Sequence, residues 1–356
     1  MSVLVERPKD GSSPSPAEGE EGHISLRQLL RRAGRRPEAG AFVVAVVLYI
    51  FFVTQTTGTG FASLTGTESW LNPAAELGII AMPIGLLLIA GEFDLSIGSM
   101  VGASGMVVAI GSAHYHLPLV VVVLLAIALG VGVGLINGLL VVRTSLPSFI
   151  VTLAANFVLA GVALGLSSAL TGTSTVSFTA HGIVKSLFGS SAGQGHVAIL
   201  WWAAVAAVSA WVLSQTRAGN WIFATGGNGD TARAAGVPVA RVKVSLFVFA
   251  AVASAIVGVI QAVEFQSGNA TNGQGFVFEA PIVCVIGGVL LSGGYGSAIG
   301  ILLGTITYGV IQSGIFYAGW DSSWLQAFLG LLLLLAVLAN NLFRRLALSA
   351  VNQRRG

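Results

Sequence analysis

The sequence predicts an all-α polytopic membrane protein of about ten transmembrane helices, some of them broken, with both termini in the cytoplasm. Hydrophobic residues make up 54% of the chain and charged residues only 9%. Because a soluble domain carries roughly 25% charged residues, lipid must be the solvent for most of this chain. Two further observations support the fold: a series of long apolar runs and an uneven distribution of lysine and arginine.

Residues 1–40 are predicted to form a disordered cytoplasmic tail. Positions 1–22 are rich in Ser, Pro, Gly and Glu and nearly lack large apolar residues, a composition that cannot form a core. Within the tail, 24–36 combines leucines with five arginines. This basic juxtamembrane segment is either a helix lying on an anionic membrane surface or a solvated charge cluster.

The membrane domain is predicted to extend over 41–343. Most of its apolar runs approach the ~20 residues that a helix needs to cross a bilayer. The run at 277–291 is short. The ten runs are 41–57, 74–91, 95–113, 117–142, 148–170, 196–214, 242–264, 277–291, 297–318 and 324–343.

The basic residues predict the orientation. If the amino terminus is cytoplasmic and all ten runs cross, every one of the 17 Lys and Arg residues except Lys185 lies inside. Positive charge collects in cytoplasmic loops. The loop at 215–241 and the tail at 344–356 are then cytoplasmic, and the basic net charge requires no nucleic acid. The long outer loop, 171–195, is a short amphipathic element, a docking surface or a plain linker.

Two stretches of the chain resemble each other, "GEFDLSIGSMVG" at 91–102 and "GGVLLSGGYGSAIG" at 287–300. Gly- and Ser-broken helices in corresponding positions of two halves often mark a pathway, because broken backbone at depth needs a cavity or protein beside it. The first four and last four runs are therefore candidate parallel repeats, with Ser292, Gly293 and Gly294 in the second break. Chance recurrence in a chain with 47 glycines is the alternative.

Polar residues near the breaks are candidates for structural or pathway roles. Glu92 and Asp94 can cap the following helix, since carboxylates accept N–H bonds at a helix start. Ser96 lies in the same break. Glu279, at the start of the short eighth run, is a further ionisable candidate. Neutral hydrogen-bonding groups in the runs suit a neutral polyol better than charged pairs would, and Asn137 and Gln312 are the candidates.

Several functions lack a sequence signal. No Gly-Lys pair occurs, so the chain has no P-loop and no ATP hydrolysis by that route. No metal-binding cluster and no catalytic residues are predicted. The absence of arginine from the span interiors also disfavours a proton-driven carrier.

The segment "ATGGNGDTARAAGVPVARVK" at 224–243 is polar, Gly-rich and basic between two apolar runs. It predicts a short helix that contacts another protein. Gly236 would end this helix and Pro238 would prevent its continuation. The small side chains of Ala232, Ala234 and Ala235 would fit a groove on the partner.

These motifs resemble the permease subunits of bacterial ABC importers of the ribose, xylose, arabinose and galactose type. The resemblance covers roughly 74–343 and includes "GLINGLLVVRTSLPSFIVTLA" at 134–154 and "EAPIVCVIGGVLLSGGYGSAIG" at 279–300. It implies a homodimer, a cytoplasmic ATPase that holds ATP and Mg on the partner chain, an external solute-binding protein and a sugar substrate.

The resemblance also assigns a cytoplasmic coupling segment, and Glu92 departs from it by standing where the family usually has glycine. The residues assigned to ATPase coupling are Gly226, Gly227, Asn228, Asp230, Arg233, Ala235 and Gly236. Two alternatives stay open: a permease for nucleosides or branched amino acids in a similar system, and a stand-alone channel or ion-coupled carrier.

Overall fold

A computed structural model describes residues 37–189 and 197–352, with side chains described for 38–189 and 197–338. The predicted disordered tail lies outside the described residues up to position 36, as does its basic segment. Within the described chain, helices account for nearly all regular structure.

Each of the ten predicted apolar runs overlaps a helix, although the run at 277–291 continues past the end of its helix at Ile286. The helices are α1 (Pro37–Gln55), α2 (Leu64–Ile89), α3 (Ile97–Ala113), α4 (Leu119–Thr144), α5 (Ser148–Thr171), α6 (Gly182–Phe188), α7 (Val197–Gln215), α8 (Arg217–Gly227), α9 (Gly229–Ala234), α10 (Val239–Glu264), α11 (Phe276–Ile286), α12 (Ala298–Tyr317) and α13 (Trp324–Asn352).

Seven of the described helices are long and apolar enough to cross a membrane: α1, α2, α4, α5, α7, α10 and α12. Three apolar stretches are shorter, namely α3, α11 and the 324–338 portion of α13. The chain is therefore a multi-pass membrane protein, while the count of ten crossings and the orientation of the termini stay predictions. Helix α13 continues to Asn352 without a break at the predicted domain boundary of 343.

Helices α2 and α10 form the centre of the bundle. Every residue of α2 from Ala74 to Ile89 is buried, and α10 is buried over most of its length. Glycines allow the close packing around them: a Cβ on Gly134 of α4 would lie 2.5 Å from the Val248 Cα of α10. Small residues permit such backbone approach where lipid supplies no hydrophobic force between helices.

The outward faces of α4 and α5 are apolar and exposed. Leu124 is 60% exposed, Ile136 60%, Phe157 68% and Val158 63%. Soluble monomers rarely expose contiguous apolar surface of this extent. Lipid or another membrane chain must cover these faces.

The loop after α5 contains short regular elements. Strand β1 (Thr175–Ser177) pairs antiparallel with β2 (Ser267–Asn269), which follows α10. The Phe188 ring at the end of α6 stacks on Trp201 of α7, with ring centroids 5.4 Å apart. Helix α6 gives this loop a short helical element, with Val184 and Phe188 buried and Ile183 and Leu187 exposed. A docking role for the loop stays a prediction.

Candidate functional site

The first helix break begins where α2 ends, at a glycine cap. Gly91 adopts φ +82°, a left-handed conformation that glycine reaches without the Cβ penalty. Its N–H donates to the Leu88 carbonyl, and the Glu92 N–H donates to the Leu87 carbonyl at 3.0 Å. This pair of bonds is the Schellman motif, which stops a helix.

Side chains of α5 satisfy the backbone of the first break. Ser148 Oγ accepts from the Phe93 N–H, and Thr152 Oγ1 accepts from the Leu95 N–H, both at 3.0 Å. Asn156 Oδ1 accepts from the Ser99 N–H in the first turn of α3 at 3.2 Å. Without these partners the N–H groups would be unpaired inside the bundle, which is costly where water is absent.

The predicted site set missed Ser148 and Thr152. The signal was present in the sequence: Ser148, Thr152 and Asn156 are spaced four residues apart and so share one helix face. Only the packing of α5 against the break shows what that face binds.

Asp94, Ser96 and Asn137 are brought together as a buried cluster. Asp94 Oδ1 accepts from the Ser96 N–H at 2.8 Å and from the Ser96 hydroxyl at 2.6 Å. The Asn137 side-chain amide donates to Ser96 Oγ at 2.9 Å. Asp94 thus orders the turn into α3, although its bond is to the N-cap residue itself and not to the N2 or N3 N–H.

Glu92 has a different role from the predicted helix cap. Its carboxylate forms an ion pair with Lys243 on α10. Glu92 is 8% exposed, so the pair is largely shielded from water and interacts more strongly than a surface pair. The residue that departs from the family pattern therefore links the first break to the helix that follows the coupling segment.

The second break starts with the same cap as the first. Gly288 adopts φ +87°, its N–H donates to the Val285 carbonyl, and the Val289 N–H donates to the Cys284 carbonyl. The structure therefore matches Gly288 with Gly91, whereas the sequence similarity matched Gly287 with Gly91.

The register of the similarity also changes after the cap. Ser297 is the N-cap of α12 and its hydroxyl accepts from the Gly300 N–H at 3.0 Å, whereas Ser96 is the N-cap of α3. The sequence similarity instead matched Ser297 with Ser99, which lies inside α3, and Ser96 with Ser292, which lies inside the second break. The second break is longer, and the additional residues include Gly293 and Gly294, both with positive φ.

The predicted coupling segment forms the exposed helix α9. The Asn228 side chain accepts from the Thr231 N–H at 2.9 Å and caps its start. Asp230 and Arg233 form an ion pair at 3.0 Å with both side chains exposed. At its end Gly236 adopts φ +85°, and its N–H donates to the Arg233 carbonyl. Helix α10 then begins after Pro238, as the sequence predicted.

Backbone-to-backbone contacts bring the two breaks and the coupling segment together. The Gly294 N–H donates to the Ile89 carbonyl at 2.8 Å and so satisfies an orphan carbonyl at the end of α2. Gly226 packs against this bond: a Cβ there would overlap the Ile89 carbonyl oxygen and lie 2.7 Å from the Gly294 nitrogen. A Cβ on Gly293 would lie 2.9 Å from the Gly91 Cα.

We call this set of contacts the glycine junction and define it as Ile89, Gly91, Gly226, Gly293 and Gly294. Gly227 lies beside it, since a Cβ on Gly294 would be 3.0 Å from the Gly227 Cα. The sequence identified the breaks and the coupling segment separately, and the structure places them in direct contact.

The remaining predicted residues lie on other parts of the helices. Glu279 of α11 accepts a hydrogen bond from the Tyr308 hydroxyl of α12 at 3.0 Å. The Gln312 Oε1 atom is buried and has no hydrogen-bond partner among the described residues. Neither residue belongs to the glycine junction.

A buried polar group that the predicted site set omitted lies between α2 and α10. Glu76 accepts from the Gln261 side-chain amide at 2.7 Å and from the Asn72 amide at 3.2 Å. Glu76 is 8% exposed and Gln261 9%. Carboxylates in spanning helices are costly and mark functional positions by default.

Comparison with known proteins gives one family. Residues 66–337 match the family described as branched-chain amino acid transport system / permease component. A probable ABC transporter permease protein of Escherichia coli strain K12 is 33% identical over 317 residues, which cover 89% of this chain and 92% of that protein.

Two relatives have names that state a substrate. A galactose/methyl galactoside import permease protein of Escherichia coli strain K12 is 31% identical and covers 86% of this chain and 94% of its own length. A fructose import permease protein of Rhizobium meliloti is 29% identical and covers 90% of each chain. No solved structure matches the chain.

Proposed function

The chain belongs to the family of permease components of branched-chain amino acid transport systems, and on that premise we propose that it is the membrane-spanning subunit of an ATP-driven sugar importer. The subunit would form the translocation pathway in the cell (inner) membrane. A separate ATPase, which binds ATP and Mg, would supply the energy from the cytoplasmic side.

The glycine junction carries this proposal. Helix α9 is exposed, and the adjoining end of α8 contacts both helix breaks through backbone atoms. Where backbones touch without intervening side chains, one segment cannot move without displacing the other, because packed protein interiors resist compression. A displacement of α9 by a partner would therefore move the end of α2 and the second break together.

The partner surface of α9 is smaller than the sequence predicted. Ala232 is 5% exposed and packs inside this chain, so it is unavailable to a partner. Ala234, Ala235 and Gly236 are exposed, as is the pair of Asp230 and Arg233. These five residues form the surface that we assign to the ATPase.

The sugar assignment rests on relatives named for galactose and fructose import. The half-buried amide of Asn72 and the buried groups of Glu76 and Gln261 support it, because they can exchange hydrogen bonds with hydroxyl groups. The family description itself refers to branched-chain amino acids, and this is the second candidate substrate class. Uptake of radiolabelled sugars and of radiolabelled leucine, compared for the complete importer, would distinguish the two substrate classes.

We propose a second copy of this chain and an external solute-binding protein as further partners. The exposed apolar faces of α4 and α5 leave room for a second copy in the membrane. A stand-alone channel or carrier would instead show substrate flux in vesicles that contain this chain alone.

The experiment that tests ATPase docking is Ala235→Glu, assayed by co-purification of the ATPase and by substrate-stimulated ATP hydrolysis. Ala235 is exposed at a right-handed φ of −81°, so glutamate fits the backbone and acts only on the partner surface. We expect the ATPase to be absent from the purified complex, while the permease still inserts into the membrane. Ser186→Glu on α6 adds the same charge away from α9 and serves as the control for co-purification of the ATPase.

Gly236→Glu should also abolish coupling, but its φ of +85° strains any side chain. Gly236→Ala therefore isolates the backbone effect. An Ala235→Glu importer that keeps its ATPase and its stimulated hydrolysis would refute the docking surface.

A further inference from the structure

Arg241 lies between two apolar grooves on the outer surface of the bundle. The first groove has a volume of about 590 Å³, lies between α4 and α10, and is lined by Leu135, Leu139 and Val248 with Arg143 at its end. The second has a volume of about 460 Å³ and is lined by residues of α7, α8 and α10, among them Trp221. Arg241 lines both grooves.

The first groove has one charged end and an apolar body. Arg143 is in the last turn of α4 and Arg241 in the first turn of α10. Leu135 lies eight residues from Arg143 along α4, or roughly 12 Å at the rise of an α-helix. The groove thus runs from two guanidinium groups toward the middle of the spanning helices.

The floor of this groove is rigid. A Cβ on Gly138 of α4 would lie 2.9 Å from the Val244 Cα of α10, and Gly134 approaches Val248 still more closely. The two backbones are in contact, so neither helix can close the groove by moving toward the other.

The two arginines are exposed and lack an acidic partner among residues 38–189 and 197–338. In the predicted orientation, both arginines lie at the cytoplasmic ends of spanning helices. Positive residues there meet anionic headgroups, and basic pockets between helices on this side bind phospholipids. Trp221 is 37% exposed and belongs to the residue types that prefer the membrane interface.

We propose that Arg143 and Arg241 bind the phosphate of an anionic phospholipid whose acyl chains occupy the two grooves beside Arg241. The charge of the arginines selects the headgroup and the apolar lining accepts the chains. A second copy of this chain is a poorer occupant, because a two-fold contact centred here would place these arginines against the same arginines of the other copy.

The test uses the full-length permease, purified in detergent and depleted of lipid, with its thermal unfolding followed during addition of phosphatidylglycerol or phosphatidylcholine. We expect phosphatidylglycerol to raise the midpoint by several degrees more than phosphatidylcholine, since a ligand that binds only the folded state stabilises it. Inorganic phosphate should produce no shift, because it lacks the chains.

Variants locate the site. Arg143→Gln combined with Arg241→Gln should remove the phosphatidylglycerol shift, whereas Arg217→Gln should keep it, because Arg217 is exposed on α8 and lines neither groove. The midpoint in phosphatidylcholine reports whether the double variant is folded. Arg241→Lys keeps the charge and should keep most of the shift.

Three results would overturn the proposal. The first is equal stabilisation by both lipids, and the second is a shift that survives in the double variant. The third is efficient cross-linking between copies through Leu139→Cys in membranes, which would show that a second copy covers the first groove.

Discussion

A single methyl group at Gly226 should disconnect the coupling segment from the helix breaks. A Cβ at this position would lie well inside the 3.0 Å that real Cβ atoms respect, against the Ile89 carbonyl oxygen, and 2.7 Å from the Gly294 nitrogen. Both neighbours are backbone atoms, so no side chain can rotate away. Gly226→Ala must displace the end of α8 or break the bond between Gly294 and Ile89.

The cost follows from the geometry. Overpacking a tight site costs about 1–3 kcal/mol of free energy. A cost of about 2 kcal/mol lowers the population of the intact junction relative to the disrupted one by roughly 30-fold. If ATP-driven movement requires the junction to stay intact, substrate-stimulated ATP hydrolysis should fall by roughly that factor. The ATPase should still co-purify, because α9 and its exposed surface are unchanged.

Gly227→Ala is the matched control. Gly227 is the next residue on α8. The resemblance assigned it to coupling, but it lies outside the five-residue surface on α9, and no atom lies within 4 Å of a Cβ built there. Alanine also has a higher helix propensity than glycine, so this variant should hydrolyse ATP and transport substrate at normal rates.

The assay compares ATP hydrolysis and substrate uptake by the reconstituted complex for both variants. Normal stimulation by a stably folded Gly226→Ala complex would refute the transmission role of the glycine junction. An equal loss in Gly227→Ala would show that any change at this helix end is damaging.

Three further predictions concern the residues around the junction. Thr152→Val leaves the partly buried Leu95 N–H of the first break unpaired and should destabilise the chain by about 1–3 kcal/mol in thermal unfolding. Thr144→Val on an exposed helix end should have little effect. Glu92→Gln should leave the Lys243 charge without its partner and lower the unfolding midpoint. The double variant Glu92→Gln, Lys243→Gln should lose less stability than the sum of the two single variants. Additive losses would contradict the ion pair. Arg233→Gln should change the free energy of unfolding by less than about 1 kcal/mol, because its ion pair is exposed. A fall in stimulated ATP hydrolysis would therefore report contact with the ATPase. Unchanged hydrolysis would count against that contact.

Most of the helices were predictable from the sequence, but several of their ends were not. Apolar runs of spanning length are local patterns, and each of the ten predicted runs overlaps a helix, yet α2 begins at Leu64 and not at 74, and α11 ends at Ile286 and not at 291. The stop at Gly236 was predictable for the same reason, since a glycine followed by proline acts on its own neighbours. The resemblance to permeases was also readable from contiguous motifs.

The contacts between these local features depend on the three-dimensional packing of the helices. Glu92 was expected to cap a helix, but its partner Lys243 lies on a helix distant in the chain. The polar residues of α5 recur every four positions, which is visible in the sequence. Their hydrogen-bond partner, however, is the backbone of the first break. Glycine patterns likewise do not specify which backbone will approach them. The glycine junction depends on how α2, α8 and the second break pack, and that packing is set by contacts between helices that no local periodicity encodes.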